Sequence, residues 1–351
     1  MKLNDDVAVV YTIFILLGFL SEGTVLFIKK GAGIINTNEL KVSPFFAYFC
    51  LALVCIVLVH IRELSLTYGV SSDIFEQKMS GGFIGHSLVF LMASLPFLYL
   101  LYKDGSVSKY TLFIVISLIF LSLFLKQVKS WVMIPMVFLL FIFLSFSDDS
   151  GGRKRVMYSF LVLVFIALLF FLVYFFKKIN SDGGTDVDFL ETFHDILKHF
   201  LFYLFSGVGA FSEGINNGLD KTVGWYLPFM PIVHSIEKIL GDDLTPAVSN
   251  VGFIINASYP KLSNVFTMFG TLWVNMGYMS FVYYSVVVAL LTFLSIRRNS
   301  VIMSFIYLFF ASFAVFSWFD FYYFHLTVYE VPIFMIFIYF LFKSRKVNRI
   351  A

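Results

Sequence analysis

The chain has 351 residues, 60% of them hydrophobic and only 13% charged, with a formal net charge of +3. A soluble domain is about 45–50% apolar and about 25% charged, and 47 Phe with 19 Tyr leave too little polar sequence to cover a globule of this size. A water-soluble fold, a disordered chain and a disulfide scaffold are therefore excluded, and the small, dispersed positive charge argues against a nucleic-acid partner.

A bilayer's hydrocarbon core takes about 20 apolar residues as a helix. Nine runs bounded by charge read as spans: residues 7–28, 44–61, 83–102, 108–125, 130–147, 156–176, 276–296, 300–319 and 328–342. The first is expected to be retained rather than cleaved as a signal peptide, because its leader Met1–Asp6 is acid-rich and its apolar run outlasts the roughly 7–15 residues of a signal core. Glu22 within it is expected to bond a neighbouring helix. Cys50 and Cys55 lie on different helix faces of the second run and suggest neither a disulfide nor a metal pair. The last run is short, with Tyr329 and Lys343 as interfacial anchors. The sequence thus predicts an all-α, polytopic membrane protein of about nine to eleven transmembrane helices, a single membrane domain over residues 1–351.

The positive-inside rule sets the orientation. With Lys343, Arg345, Lys346 and Arg349 inside, the loop carrying Arg297 and Arg298 is inside as well, and residues 177–275 form one long extracytoplasmic loop. If the apolar stretch 199–215 enters the outer leaflet without crossing, then Arg153, Lys154 and Arg155, the pair Lys103 and Lys109, and Lys29, Lys30 and Lys41 all fall inside too. A full crossing would turn those clusters outward, so the stretch is expected to be re-entrant. Earlier in the loop, Phe189, Leu190, Phe193, Ile196, Leu197, Phe200 and Leu201 recur with a helical period, opposite Glu191, His194, Asp195 and Lys198. Residues Phe229–Leu240 repeat the pattern, with His234, Glu237 and Lys238 on the polar side. Both amphipathic helices are expected to lie flat on the outer leaflet.

Few residues are candidates for chemistry. Lys126 and Lys129, spaced i, i+3 at the outer end of the fourth span and the start of the fifth, place two ammoniums where one anion could meet both. The alternative is snorkelling to ordinary headgroups. The segment Tyr203-Leu-Phe-Ser-Gly-Val-Gly-Ala-Phe-Ser-Glu-Gly214 carries small residues where a backbone must bend or approach another helix closely, and it ends on the carboxylate of Glu213. It reads either as irregular backbone lining a cavity or as a packing cluster. His199 directly precedes it and is the first choice among His194, His199 and His234 for a base, with a structural role as the alternative. No phosphate-binding loop, dinucleotide fingerprint, metal cluster or nucleophile elbow is present in the sequence.

Three stretches carry a family resemblance: Lys126 to Pro135 (KQVKSWVMIP), the YLFSGVGAFSE segment, and SNVFTMFGTLWVNMGYMSF from Ser263 to Phe281. Together with the span layout they resemble the Wzy-type polymerases of O-antigen and capsule repeat units. Asn264, Val265 and Thr267 match an N-V-x-T start often seen there, and Gly277 matches the glycine of a turn into a span. Asn275 stands where an Asp is common, so a carboxylate role at that position is excluded.

The resemblance implies a multi-pass glycosyltransferase of the bacterial inner membrane that moves a growing glycan from undecaprenyl pyrophosphate onto an incoming lipid-linked repeat on the periplasmic side. It implies no cofactor and no metal. Lys126 and Lys129 would hold the pyrophosphate, Glu213 or His199 would orient or deprotonate the acceptor hydroxyl, and Ser206, Ser212, Asn264 and Thr267 would make weaker glycan contacts. The partners implied are an undecaprenyl-pyrophosphate-linked oligosaccharide, the lipid bilayer and a chain-length regulator protein, with no nucleic acid. An O-antigen ligase-like enzyme or a lipid-linked glycan flippase are the alternatives. Against the flippase, transporters often show repeat halves with polar residues near the midplane, whereas the polar residues here collect in one outer loop.

Overall fold

The computed structural model describes residues 5–28, 41–69, 72–126, 128, 130–146, 189–216, 226–241, 253–256, 259–263, 266–297, 300–317 and 321–343, together with seven scattered positions between 157 and 175. The sixth expected span, 156–176, lies largely outside them. The protein is an all-α membrane protein. Its helices are α1 Asp5–Ile28, α2 Phe45–Tyr68, α3 Asp73–Ser80, α4 Gly82–Asp104, α5 Lys109–Leu125, α6 Ser130–Phe146, α7 Phe189–Asn216, α8 Met230–Leu240, α9 Thr267–Met276, α10 Met279–Ile296, α11 Val301–Ala314 and α12 Thr327–Phe342. Among the described residues, α2, α4, α10 and most of α1 are long and apolar enough to cross a membrane, while α5, α6, α11 and α12 are shorter apolar helices.

Local chemistry explains the boundaries. Ser72 and Ser108 cap α3 and α5, each accepting a hydrogen bond at 3.1 Å from the backbone N–H three residues on, Phe75 and Thr111. Gly105 ends α4 in the left-handed region at φ 68°, which glycine adopts without a Cβ penalty. The apolar surface explains the solvent. Phe19, Leu20, Val282, Val286 and Phe340 stand mostly exposed on long helices, a surface that water would not tolerate and lipid does.

The chain forms two compact units: residues 1–33, 197–298 and 313–328 in one, and residues 34–196, 299–312 and 329–351 in the other. The second is built around α4, which is apolar on all sides and buried at every position from Ser87 to Leu101. Ring contacts Phe46–Phe97, Phe49–Phe90 and Phe90–Phe334 lay α2 antiparallel to α4, and α12 parallel to it. Short links then run α5 and α6 back and forth beside α4. At one end of this unit, Lys103 Nζ donates to the Phe146 carbonyl at 2.9 Å and Ser43 N–H donates to the Phe342 carbonyl at 3.0 Å. The opposite end gathers the close of α2, all of α3, the start of α4, the close of α5 and the starts of α6 and α12.

In the first unit α1 lies along α10. The Phe14 ring is fully buried, stacked on Phe269 of α9 at 4.7 Å and edge-on to Phe281 and Tyr284 of α10. Gly277, at φ 55°, turns α9 into α10, the position where the sequence places a turn into a span.

Two features differ from the sequence reading. Residues 253–256 and 259–263, read as loop, form two antiparallel strands, β1 Phe253–Asn256 and β2 Tyr259–Ser263, in a register that pairs Ile254 with Leu262 and Asn256 with Tyr259. The amphipathic helix and the glycine segment after it, for which irregular backbone was one of two readings, are one continuous helix, α7.

Candidate functional site

The reason α7 does not break lies in its packing. A Cβ added at Gly207 would stand 2.8 Å from Thr267 Cγ2 and 3.1 Å from the Thr267 nitrogen, and one added at Gly270 would stand 2.8 Å from Phe211 Cγ. The glycine of each helix receives a side chain of the other. Gly207 therefore serves close approach between α7 and α9 within a continuous helix, the second of the two readings of that segment.

Thr267 is the focus of this junction. It is the one non-glycine residue with positive φ among the described residues, at 62°, and a β-branched side chain there is strained. Three contacts hold it in place. Its hydroxyl is hydrogen-bonded to the Tyr11 hydroxyl of α1, the next N–H, of Met268, donates to the Ser317 carbonyl at 2.7 Å, and Gly207 lets α7 press against its methyl. Ser206, Ser212 and Thr267, expected to touch glycan, are all buried. Asn275 is buried too, its Nδ2 donating to the Thr271 carbonyl at 2.8 Å. Asn264 lies outside the described residues.

Glu213 is half-exposed near the end of α7. His199 lies on the same helix, fourteen residues earlier. At about 1.5 Å rise per residue the two positions are about 21 Å apart along the axis, so they cannot both serve one acceptor hydroxyl. On α8, the buried Nε2 of His234 has no hydrogen-bond partner among the described residues. The amphipathic reading of α7 and α8 holds in one respect: Leu190, Phe193, Leu197 and Leu201, and likewise Phe229, Ile232, Ile236 and Leu240, form exposed apolar stripes.

Lys126, one of the two residues expected to hold an anion, belongs to the second unit. It caps α5, its N–H donating to the Leu123 carbonyl at 3.3 Å. It is only 2% exposed, with Nζ 3.1 Å from the centroid of the Trp131 ring, where the indole quadrupole attracts the ammonium. Residue 126 closes one helix and residue 130 opens the next, so the argument that positions i and i+3 share a helical face fails. Lys129 lies outside the described residues.

One pair was missed in the sequence. His86, in the first turns of α4, donates from Nδ1 to Glu330 Oε1 in the first turn of α12 at 2.7 Å. It is the only ion pair among the described residues. The sequence does carry a signal for it, because a carboxylate within an apolar run, as Glu330 is in 328–342, demands a partner. No three acidic, His or Cys side chains gather to hold a metal ion among the described residues.

No curated protein and no solved structure matches the chain. A family model does, over residues 8–348, nearly its whole length. The chain belongs to that family, DUF6337, a family of unknown function.

Proposed function

We propose that this protein is a glycosyltransferase of the bacterial inner membrane that polymerises undecaprenyl-pyrophosphate-linked oligosaccharide repeats on the periplasmic face. The observation that carries this reading is the α7–α9 junction. Two of the three stretches that resemble the polymerases, 203–213 and 263–281, are separated in sequence yet pack together through Gly207, Phe211, Thr267 and Gly270, around a strained residue held by a third helix. Strain of this kind persists where the surroundings over-determine it and clusters at functional sites.

In this reading the end of the second unit that carries Lys103 and Lys343 is cytoplasmic, as the positive-inside rule requires, and the opposite end, with Lys126, faces the periplasm. The exposed apolar stripes of α7 and α8 rest on the outer leaflet. Lys126, with Lys129 beside it in sequence, binds the pyrophosphate, for which the ammonium turns from the indole face to the phosphate oxygens. One of Glu213 and His199 orients the acceptor sugar. Pyrophosphate is already a good leaving group, so the reaction requires a cation for the departing charge and no general acid.

Deleting the gene in its host and separating the surface glycan on a gel tests this. Caps of a single repeat are expected. Complete absence of surface glycan would instead indicate a ligase or flippase.

A further inference from the structure

We infer that His86 and Glu330 form the acid–base dyad that removes the proton from the acceptor hydroxyl, a step that rests on the glycosyltransferase reading above. The two residues are 244 apart in sequence, and the fold holds them together by more than their own bond. One turn further along each helix, the Phe90 and Phe334 rings meet edge-on at 5.5 Å, which keeps the starts of α4 and α12 side by side. The Glu330 side chain is only 17% exposed, and it sits in the first turn of α12.

A carboxylate on Nδ1 fixes the tautomer of the ring. Nδ1 carries the proton and Nε2 presents a lone pair. The His86 side chain is 56% exposed, so that lone pair belongs to an open ring rather than a buried one. The dyad also lies at the end of its unit where α5 closes on Lys126, by the order of the helices described above, and the cation for the leaving group and the base for the nucleophile then share one end of one unit.

The step balances as follows. The acceptor oxygen forms a bond to the anomeric carbon of the donor glycan, and the bond from that carbon to the pyrophosphate oxygen breaks. The lipid pyrophosphate leaves with that electron pair. The hydroxyl proton passes to His86 Nε2, Glu330 stabilises the resulting imidazolium, and the proton is then released to water. His86 is the catalytic residue, and Glu330 is a positioning residue that acts through it. The competing account is a clamp between two helices with no chemistry.

The test uses the purified full-length protein with an undecaprenyl-pyrophosphate-linked repeat as donor and acceptor, measured in single turnover. His86→Ala should slow transfer about 100-fold to 10,000-fold, and added imidazole should restore part of the rate. His86→Asn keeps a donor near the Nδ1 position and so keeps the clamp, yet it should be as slow as His86→Ala. Glu330→Gln should slow transfer at least about tenfold with an unchanged KM, and Glu330→Asp should recover part of it. Transfer by His86→Asn at the wild-type rate would overturn the proposal. So would an inactive His86→Ala that melts early and does not respond to imidazole. A wild-type protein that transfers nothing would overturn the glycosyltransferase reading, and the dyad with it.

Discussion

Replacing Gly207 with Ala should unseat the α7–α9 junction, and the structure gives the size of the effect. The new Cβ would lie 2.8 Å from Thr267 Cγ2, where carbon atoms prefer about 3.5–4.0 Å. The helices must separate by up to about an ångström, and overpacking of this kind costs about 1–3 kcal/mol. Retreat is limited because the Thr267 nitrogen, at 3.1 Å from the same point, is backbone. Thr267→Ser deletes the clashing methyl, keeps the hydroxyl for Tyr11 and removes β-branching at a positive φ. Alone it should be near neutral. Combined with Gly207→Ala it should recover most of the loss, a coupling of about 1 kcal/mol or more in a double-mutant cycle. Thermal unfolding in detergent micelles measures each variant, with Gly23→Ala as control, since nothing lies within 4 Å of a Cβ there. The reasoning is refuted if Gly207→Ala melts with the wild type, or if the double variant is no more stable than the single one.

Tyr11→Phe leaves the buried Thr267 hydroxyl without its partner and should destabilise by about 1–3 kcal/mol in the same assay. Lys126→Gln should slow glycan transfer about 10-fold to 100-fold, through a lost charge-assisted bond of about 1.5–3 kcal/mol, with Lys126→Arg retaining part of the rate; a wild-type rate in the Gln variant would move the pyrophosphate site elsewhere. Because α7 keeps Glu213 and His199 about 21 Å apart, only one of Glu213→Gln and His199→Ala should reduce transfer, and a large loss in both would contradict a single α7 group at the acceptor sugar. In a background without Cys50 and Cys55, a membrane-impermeant thiol reagent added from the periplasm should modify Tyr68→Cys and not Ser106→Cys, since α2 and α4 place them at opposite ends of one unit.

The spans were legible because each is a long apolar run between charges: the expected run 108–125 is helix Lys109–Leu125, and 130–147 is Ser130–Phe146. The turn at Gly277 was legible because a glycine ends one apolar run and opens the next. The continuity of α7 was not, since Gly207 and Gly209 read equally well as a break or as a contact, and only a partner helix decides between them. The strands at 253–256 and 259–263 have four and five residues, too short for alternation to stand out. At the candidate site, Thr267 could be named from its motif, but its strain could not, because φ is set by Tyr11, Gly207 and Ser317, which are remote in sequence. Lys126 was legible as a cation; its burial against Trp131 follows from where α5 ends. The His86–Glu330 pair escaped because its partners are 244 residues apart, and a carboxylate in a span shows that a partner is needed without showing which.

The claim that the protein polymerises lipid-linked repeats is tested most directly by reconstitution in liposomes, with a synthetic undecaprenyl-pyrophosphate-linked repeat as the only substrate and a chelator present. The account predicts a ladder of lipid-linked oligomers, with one undecaprenyl pyrophosphate released per linkage formed. Movement of the repeat across the bilayer without any new linkage, or transfer that occurs only when lipid A core is supplied, would contradict it.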